Sequence, residues 1–194
     1  MKKLLAIIFL SLHFITPSQA DDIKDFQIDG ISVGESVLDH FSKNQIKNAK
    51  NFAYYYKKSK KFYEIGFDIK SEQYDMISFS LKKNDIKYII YGIKGSKNYD
   101  NNHQECLKQS QKIINEILSI AGDTKNKSFK RKYPNLGQSL QVGSDFTGSY
   151  GALQSYCALW DKKNKTVKSR KYYDSLNVTA FSLEYSNFLL NEAY

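Results

Sequence analysis

Two cysteines, two prolines, one tryptophan and three histidines stand in a chain of 194 residues. Each scarcity closes off a chemistry. Neither cysteine belongs to a C-x-x-C pair, the spacing in which one thiol lowers the pKa of the other, so a dithiol redox centre is excluded. A closed zinc site needs four ligands, and the cysteines and histidines show no paired spacing. No H-E-x-x-H holds a metal-bound water, and no glycine-rich loop ends in Gly-Lys-Ser/Thr to cradle a phosphate. No Gly-x-Ser-x-Gly elbow provides a nucleophile. Gly143 to Gly151, GSDFTGSYG, lacks the strand–GxGxxG–helix setting of a dinucleotide site and reads as a flexible loop. No cofactor and no metal is called for.

Long apolar runs are also missing, with one exception at the start. Lys2 and Lys3 precede twelve apolar-rich residues, Leu4 to Ile15, then Pro17 and the small residues Ser18 and Ala20. This is the layout of a secretory signal peptide cleaved after Ala20. The run is too short to cross ~30 Å of hydrocarbon as a helix. No cysteine follows it, so no lipid anchor is expected. The expected product is a periplasmic or secreted single domain, residues 21–194, not transmembrane after cleavage, with 123–137 the one candidate sub-boundary.

Tyrosine and phenylalanine are abundant, at 15 and 12 copies. They supply core area where proline and tryptophan are scarce. The net charge is +9, and lysine and asparagine usage also reflects an AT-rich coding bias. Three basic runs flanked by aromatics stand out: Lys57, Lys58, Lys60 and Lys61; Lys130, Arg131, Lys132 and Tyr133; Lys168, Arg170, Lys171 and Tyr172. In a cytoplasmic chain such runs suggest nucleic acid, where cations neutralise phosphates and rings stack on bases. Export makes an anionic envelope component the better match. The plainer reading is solvated lysine-rich loops.

The pattern of the remainder gives an α+β domain. Ser42 and Gln45 have capping-box spacing and start a short helix at Lys43. Asn51 to Lys57 reads as an aromatic strand. Phe62 to Ile69 alternates, with Tyr63, Ile65, Phe67 and Ile69 on one face, and Met76 to Lys83 repeats the pattern. Ile86 to Gly95 reads as a central strand. The short spacers predict an antiparallel meander. A long helix capped by Asn101 or Asn102 and ended by Gly122 presents Cys106, Ser110, Ile113, Ile117 and Ile120 on one stripe, for packing on the sheet. Gly151 to Trp160 and Ser175 to Tyr185 read as further strands.

Cys106 on the helix and Cys157 among strand leucines both point inward. In an oxidising compartment two such cysteines pair. The alternatives are a nucleophilic thiol served by His103, three residues before Cys106, and the redox and zinc roles above. A bridge closes a loop of 51 positions and stabilises by on the order of 4 kcal/mol.

Ile28 to Phe41 fits the pattern I-x-G-x-S-x-G-x-S-x-L-x-x-F. With the cysteine-bearing helix and the terminal strand, it resembles small exported proteins of AT-rich marine alphaproteobacteria of the Pelagibacter type. That resemblance implies export and no particular activity. The short helices feeding a meander are also similar to the small outer-membrane assembly lipoprotein and β-lactamase-inhibitor fold, which by analogy implies protein binding at the envelope. The expected function is a non-enzymatic binding module for an anionic envelope component or another envelope protein. The alternatives are a small hydrolase of an envelope polymer, built on two of the scattered carboxylates Glu64, Asp68, Asp75, Asp145 and Asp161, and a structural envelope component.

Overall fold

The computed structural model describes residues 23–99, 102–120 and 124–194. The expected leader and its cleavage site lie outside the described residues, as do Asn101 and Gly122. An arm opens the described chain, with the two-residue strands β1 (Gln27–Ile28) and β2 (Ile31–Ser32) paired as a small hairpin. A tight turn at Val37–Asp39 and helix α1 (Lys43–Lys50) follow. The Ser42–Gln45 capping box is present, with the Gln45 backbone N–H donating to Ser42 Oγ and the Ser42 N–H to Gln45 Oε1.

One eight-stranded antiparallel sheet carries the fold. Its strands are β3 (Tyr54–Tyr55), β4 (Phe62–Asp68), β5 (Met76–Lys82), β6 (Ile90–Asn98), β7 (Lys125–Lys132), β8 (Leu140–Gly148), β9 (Gly151–Leu159) and β10 (Ser175–Ser182). The order β3-β4-β5-β6-β10-β9-β8-β7 joins two four-stranded meanders through their last strands. Each meander is preceded by a helix: α1 before β3, and α2 (His103–Ile120) before β7. The architecture is thus two halves, each a helix followed by four strands, the second interrupted before β10 by the short helix α3 (Lys165–Ser169).

Helix and strand rises explain how α2 docks. Cys106 bonds to Cys157, and Ser110 Oγ lies 3.1 Å from Ser155 Oγ. Four residues of helix advance about 6 Å and two residues of strand about 6.6 Å, so α2 runs antiparallel to β9 in step with it. Cys106, Ser110, Ile114 and Ile117 are buried, whereas Leu107, Leu118 and Ile120 stay exposed. The buried stripe is narrower than the sequence suggests because α2 packs mainly on β8, β9 and β10. The same face of the sheet supplies Tyr63, Ile65, Ile77, Phe79, Leu81, Ile93, Leu153 and Val178 to the main core. Burying each large side chain contributes about 1.5–3 kcal/mol. Gly95 lets the arm lie close: a Cβ there would stand 2.6 Å from the Tyr74 ring and 2.8 Å from Ile28 Cγ2.

The other face carries buried polar residues as well as the end packing of a further helix. Helix α4 (Leu183–Asn191) plugs one end, with Phe188 against Phe62 on β4 and further packing on β6, β10 and β9. Burial, with the Tyr133 phenol and the Glu64 carboxylate behind it, pushes the Tyr156 phenol up. Ser80, Ser96, Asn177 and Thr179 are buried there, and Ser96 Oγ donates to Asn177 Oδ1 at 2.8 Å.

Several local expectations differ from the structure. Lys125–Lys132, read as turn-rich boundary, is strand β7. Gly143 to Gly148, read as flexible loop, belongs to β8, and only Ser149 and Tyr150 turn the chain into β9. The central strand starts at Ile90, leaving Ile86 84% exposed, and the aromatic strand shrinks to Tyr54–Tyr55. Tyr185 leaves the terminal strand for α4, where it is 1% exposed.

Candidate functional site

Cys106 and Cys157 are both fully buried and form a disulfide with Cα atoms 6.1 Å apart. The thiol that a nucleophile reading would need is consumed. His103 instead lies 2.5 Å from Oδ2 of the fully buried Asp174, whose Oδ1 accepts from the Trp160 backbone N–H at 2.7 Å. His40 pairs with Glu35 at 2.7 Å. The pattern G-x-S-x-G does occur, at Gly30–Gly34. Its Ser32 is 4% exposed on the two-residue strand β2, not on a strand-to-helix elbow.

Four of the five candidate carboxylates each have partners of their own. Oε1 of Glu64 accepts from the phenols of Tyr56 and Tyr185, which satisfies two ring hydroxyls buried under α4. Burial and the adjacent Glu64 push both phenols up. Asp75 holds Lys97 at 3.2 Å, Asp145 holds Arg131, and Asp161 accepts the backbone N–H groups of Gln138 and Lys163 at 3.0 and 2.9 Å. Those N–H groups hold the Asp161 carboxyl below its ordinary range. Among the described residues no group of three His, Cys, Asp or Glu is placed to hold a metal ion. A cavity of about 580 Å³ opens between the arm and α2, over Leu176, Val178 and Ile117. Neither His103 nor Ser32 lines it.

The three basic runs separate into two places. Lys57, Lys58, Lys60 and Lys61 occupy the loop before β4, and Lys61 meets Glu184 and Glu192 at 3.7 and 3.5 Å. The other two runs meet at the opposite edge and opposite end of the sheet. Lys130, Arg131 and Lys132 lie on β7, while Lys168, Arg170, Lys171 and Tyr172 belong to the β9–β10 connection around helix α3 (Lys165–Ser169). Asn164 caps α3 by accepting the Thr166 and Val167 N–H groups, and buried Val167 anchors it.

An aromatic ladder clamps these two segments together. Tyr133 stacks on Trp160 with centroids 4.5 Å apart, and Tyr172 covers the other side of Trp160 at 4.5 Å. Gln141 donates to the Tyr133 hydroxyl at 2.8 Å, and Arg170 to the Tyr172 hydroxyl at 3.1 Å. Lys162 Nζ donates to the Tyr172 carbonyl at 2.6 Å, which fixes the connection. Both faces of Trp160 are occupied, so the ring is a clamp rather than a free stacking platform.

The charge of this flank is lopsided. Residues 124–173 contain eleven lysines and arginines against two carboxylates, Asp145 and Asp161. That surplus of nine equals the net charge of the whole chain. Asp145 is used by Arg131 and Asp161 by backbone, so the remaining cations have no ion-pair partner among the described residues. Counting charge over a window of about fifty residues reveals this segment in the sequence; the ladder that brings its halves together joins positions too far apart to be read there. No family model, no curated protein and no solved structure matches the chain.

Proposed function

We infer that the protein is an exported, non-enzymatic binding module that holds an anionic partner of the cell envelope against the flank formed by β7 and the β9–β10 connection. The observation that carries this reading is the surplus of nine positive charges over residues 124–173, gathered on one edge by the Tyr133–Trp160–Tyr172 ladder. Like charges this close repel, and the core needs none of them: β7 is exposed at every residue but Phe129. A polyanion would neutralise them and release its counterions. The buried disulfide accords with an oxidising compartment outside the cytoplasm. The first run, Lys57 to Lys61, is left out of the surface because it sits at the far end and Lys61 has carboxylate partners.

Trp160, the only tryptophan, reports on this flank directly. Titrating residues 21–194 with dextran sulfate, a generic polyanion, should change Trp160 fluorescence saturably and weaken as salt rises. A flat titration at low salt would remove the reading.

A further inference from the structure

The basic flank includes an unused sheet edge. Strand β7 pairs along all eight residues with β8 and is the last strand in the sheet order, so its outer edge is unpaired among the described residues. That edge presents the N–H and C=O of every second residue along about 27 Å. The other end of the sheet is different in kind, since β3 is only two residues long. Strand β7 also buries almost nothing of its own: beyond the ladder to β8 its ties include the Ser128–Ser144 hydroxyl contact at 3.1 Å, the Phe129–Tyr156 ring contact and the Arg131–Asp145 pair.

A cleft lies beside it. Because α2 stops short of β7, a cavity of about 380 Å³ remains between Leu107 and Ile114 of α2 and Lys130 and Val142 of the sheet. Register with β8 puts Lys130 on the same face as Val142, the face of that cleft, and Lys125, Lys127 and Arg131 on the opposite face. The two faces of β7 therefore ask for different side chains. One, with Ser128, Lys130 and Lys132, borders a cleft that Leu107, Ile114 and Val142 line in part, and the other carries Lys125, Lys127 and Arg131 around Phe129.

Resting on the basic-flank reading above, we propose that the anionic partner is an extended polypeptide segment of alternating acidic and apolar residues, added as a ninth strand at the outer edge of β7. Its apolar side chains enter the cleft beside Leu107 and Ile114. Its carboxylates lie opposite Lys125 and Lys127. Backbone hydrogen bonds supply affinity, and alternate side chains supply specificity. A second copy of this chain is a poor occupant, because two β7 strands edge to edge would set five cations against five. Lysine on an edge blocks such self-pairing while leaving the edge open to an acidic strand.

The test uses residues 21–194 and three blocked octapeptides of alternating Glu and Val: one unmodified, and two N-methylated on either the odd or the even residues. Methylation of alternate residues blocks one edge of a strand only. The unmodified peptide and one methylated form should bind alike and protect β7 amides from hydrogen exchange. The other methylated form should bind about tenfold more weakly or worse, the loss of about two net hydrogen bonds. The double variant K125E/K127E should weaken the unmodified peptide by about tenfold at low salt. Equal binding of both methylated forms, or protection away from β7, overturns strand addition. If the peptides fail while dextran sulfate still binds, strand addition falls and the basic flank stands, with a lipid headgroup or polysaccharide as the partner. If both fail, both readings fall.

Discussion

Replacing both bridge cysteines with alanine should lower stability by about 4 kcal/mol. The bridge joins α2 to β9 across 51 positions, and loop-closure entropy of that length contributes roughly that amount through the unfolded chain. The native neighbours should change little, since Ser110 and Ser155, one step along both elements, keep their own contact. With a urea dependence of about 2 kcal/mol per M, the C106A/C157A midpoint should fall by about 2 M. The assay is equilibrium urea unfolding followed by far-ultraviolet circular dichroism, with protein purified without reductant and its thiols counted. A shift below about 0.5 M would refute the entropic reasoning, and two titratable thiols in the unreduced protein would refute the bridge itself.

Gly95→Ala should cost about 1–3 kcal/mol in the same assay, because the new methyl group meets the Tyr74 ring at 2.6 Å and Ile28 at 2.8 Å; a neutral result would mean that the arm does not pack on β6. Asp174→Ala should cost about 2 kcal/mol by orphaning the Trp160 N–H and removing the partner of His103, read from the urea midpoint, with a change under about 0.5 kcal/mol contradicting it. Burial, with Asp29 and Glu116 nearby, pushes the Tyr74 phenol up to about 12, whereas an unfolded phenol ionises near 10. The folded chain thus keeps a proton that the unfolded chain loses, so this stability is complete below pH 10 and is lost as pH rises to about 12. Urea midpoints that stay level from pH 9 to 12 would contradict that sign.

Legibility in the sequence followed burial. Strands β4, β5 and β9 have one buried and one solvated or polar face, so alternation betrayed them: Tyr63, Ile65 and Phe67; Ile77, Phe79 and Leu81; Leu153, Ser155 and Cys157. The Ser42 capping box was legible because it is local chemistry. The cysteine pair was legible because both residues sat on inward faces of their elements. Strand β7 was not, because KNKSFKRK holds one apolar residue and is a strand only by virtue of pairing with β8. Strand β8 was obscured by Gly143, Ser144 and Gly148, although Leu140, Val142 and Phe146 keep the alternation beneath them. The third difference is long-range: nothing local tells Tyr133 that it will stack on Trp160, or Tyr172 that it will close the other side. The basic runs were therefore visible one by one, and their division into one shared flank and one remote loop was not.

The most direct measurement is the salt dependence of dextran sulfate binding for the wild type and two charge reversals. One reverses Lys130, Lys132, Lys168 and Arg170 on the flank; the other reverses Lys57, Lys58 and Lys60 in the remote loop. The account predicts that the flank reversal reduces both the affinity and the slope of log K against log salt, while the loop reversal leaves the slope within about one unit of the wild type. Equal losses in the two variants would show that binding follows net charge alone, and would contradict it.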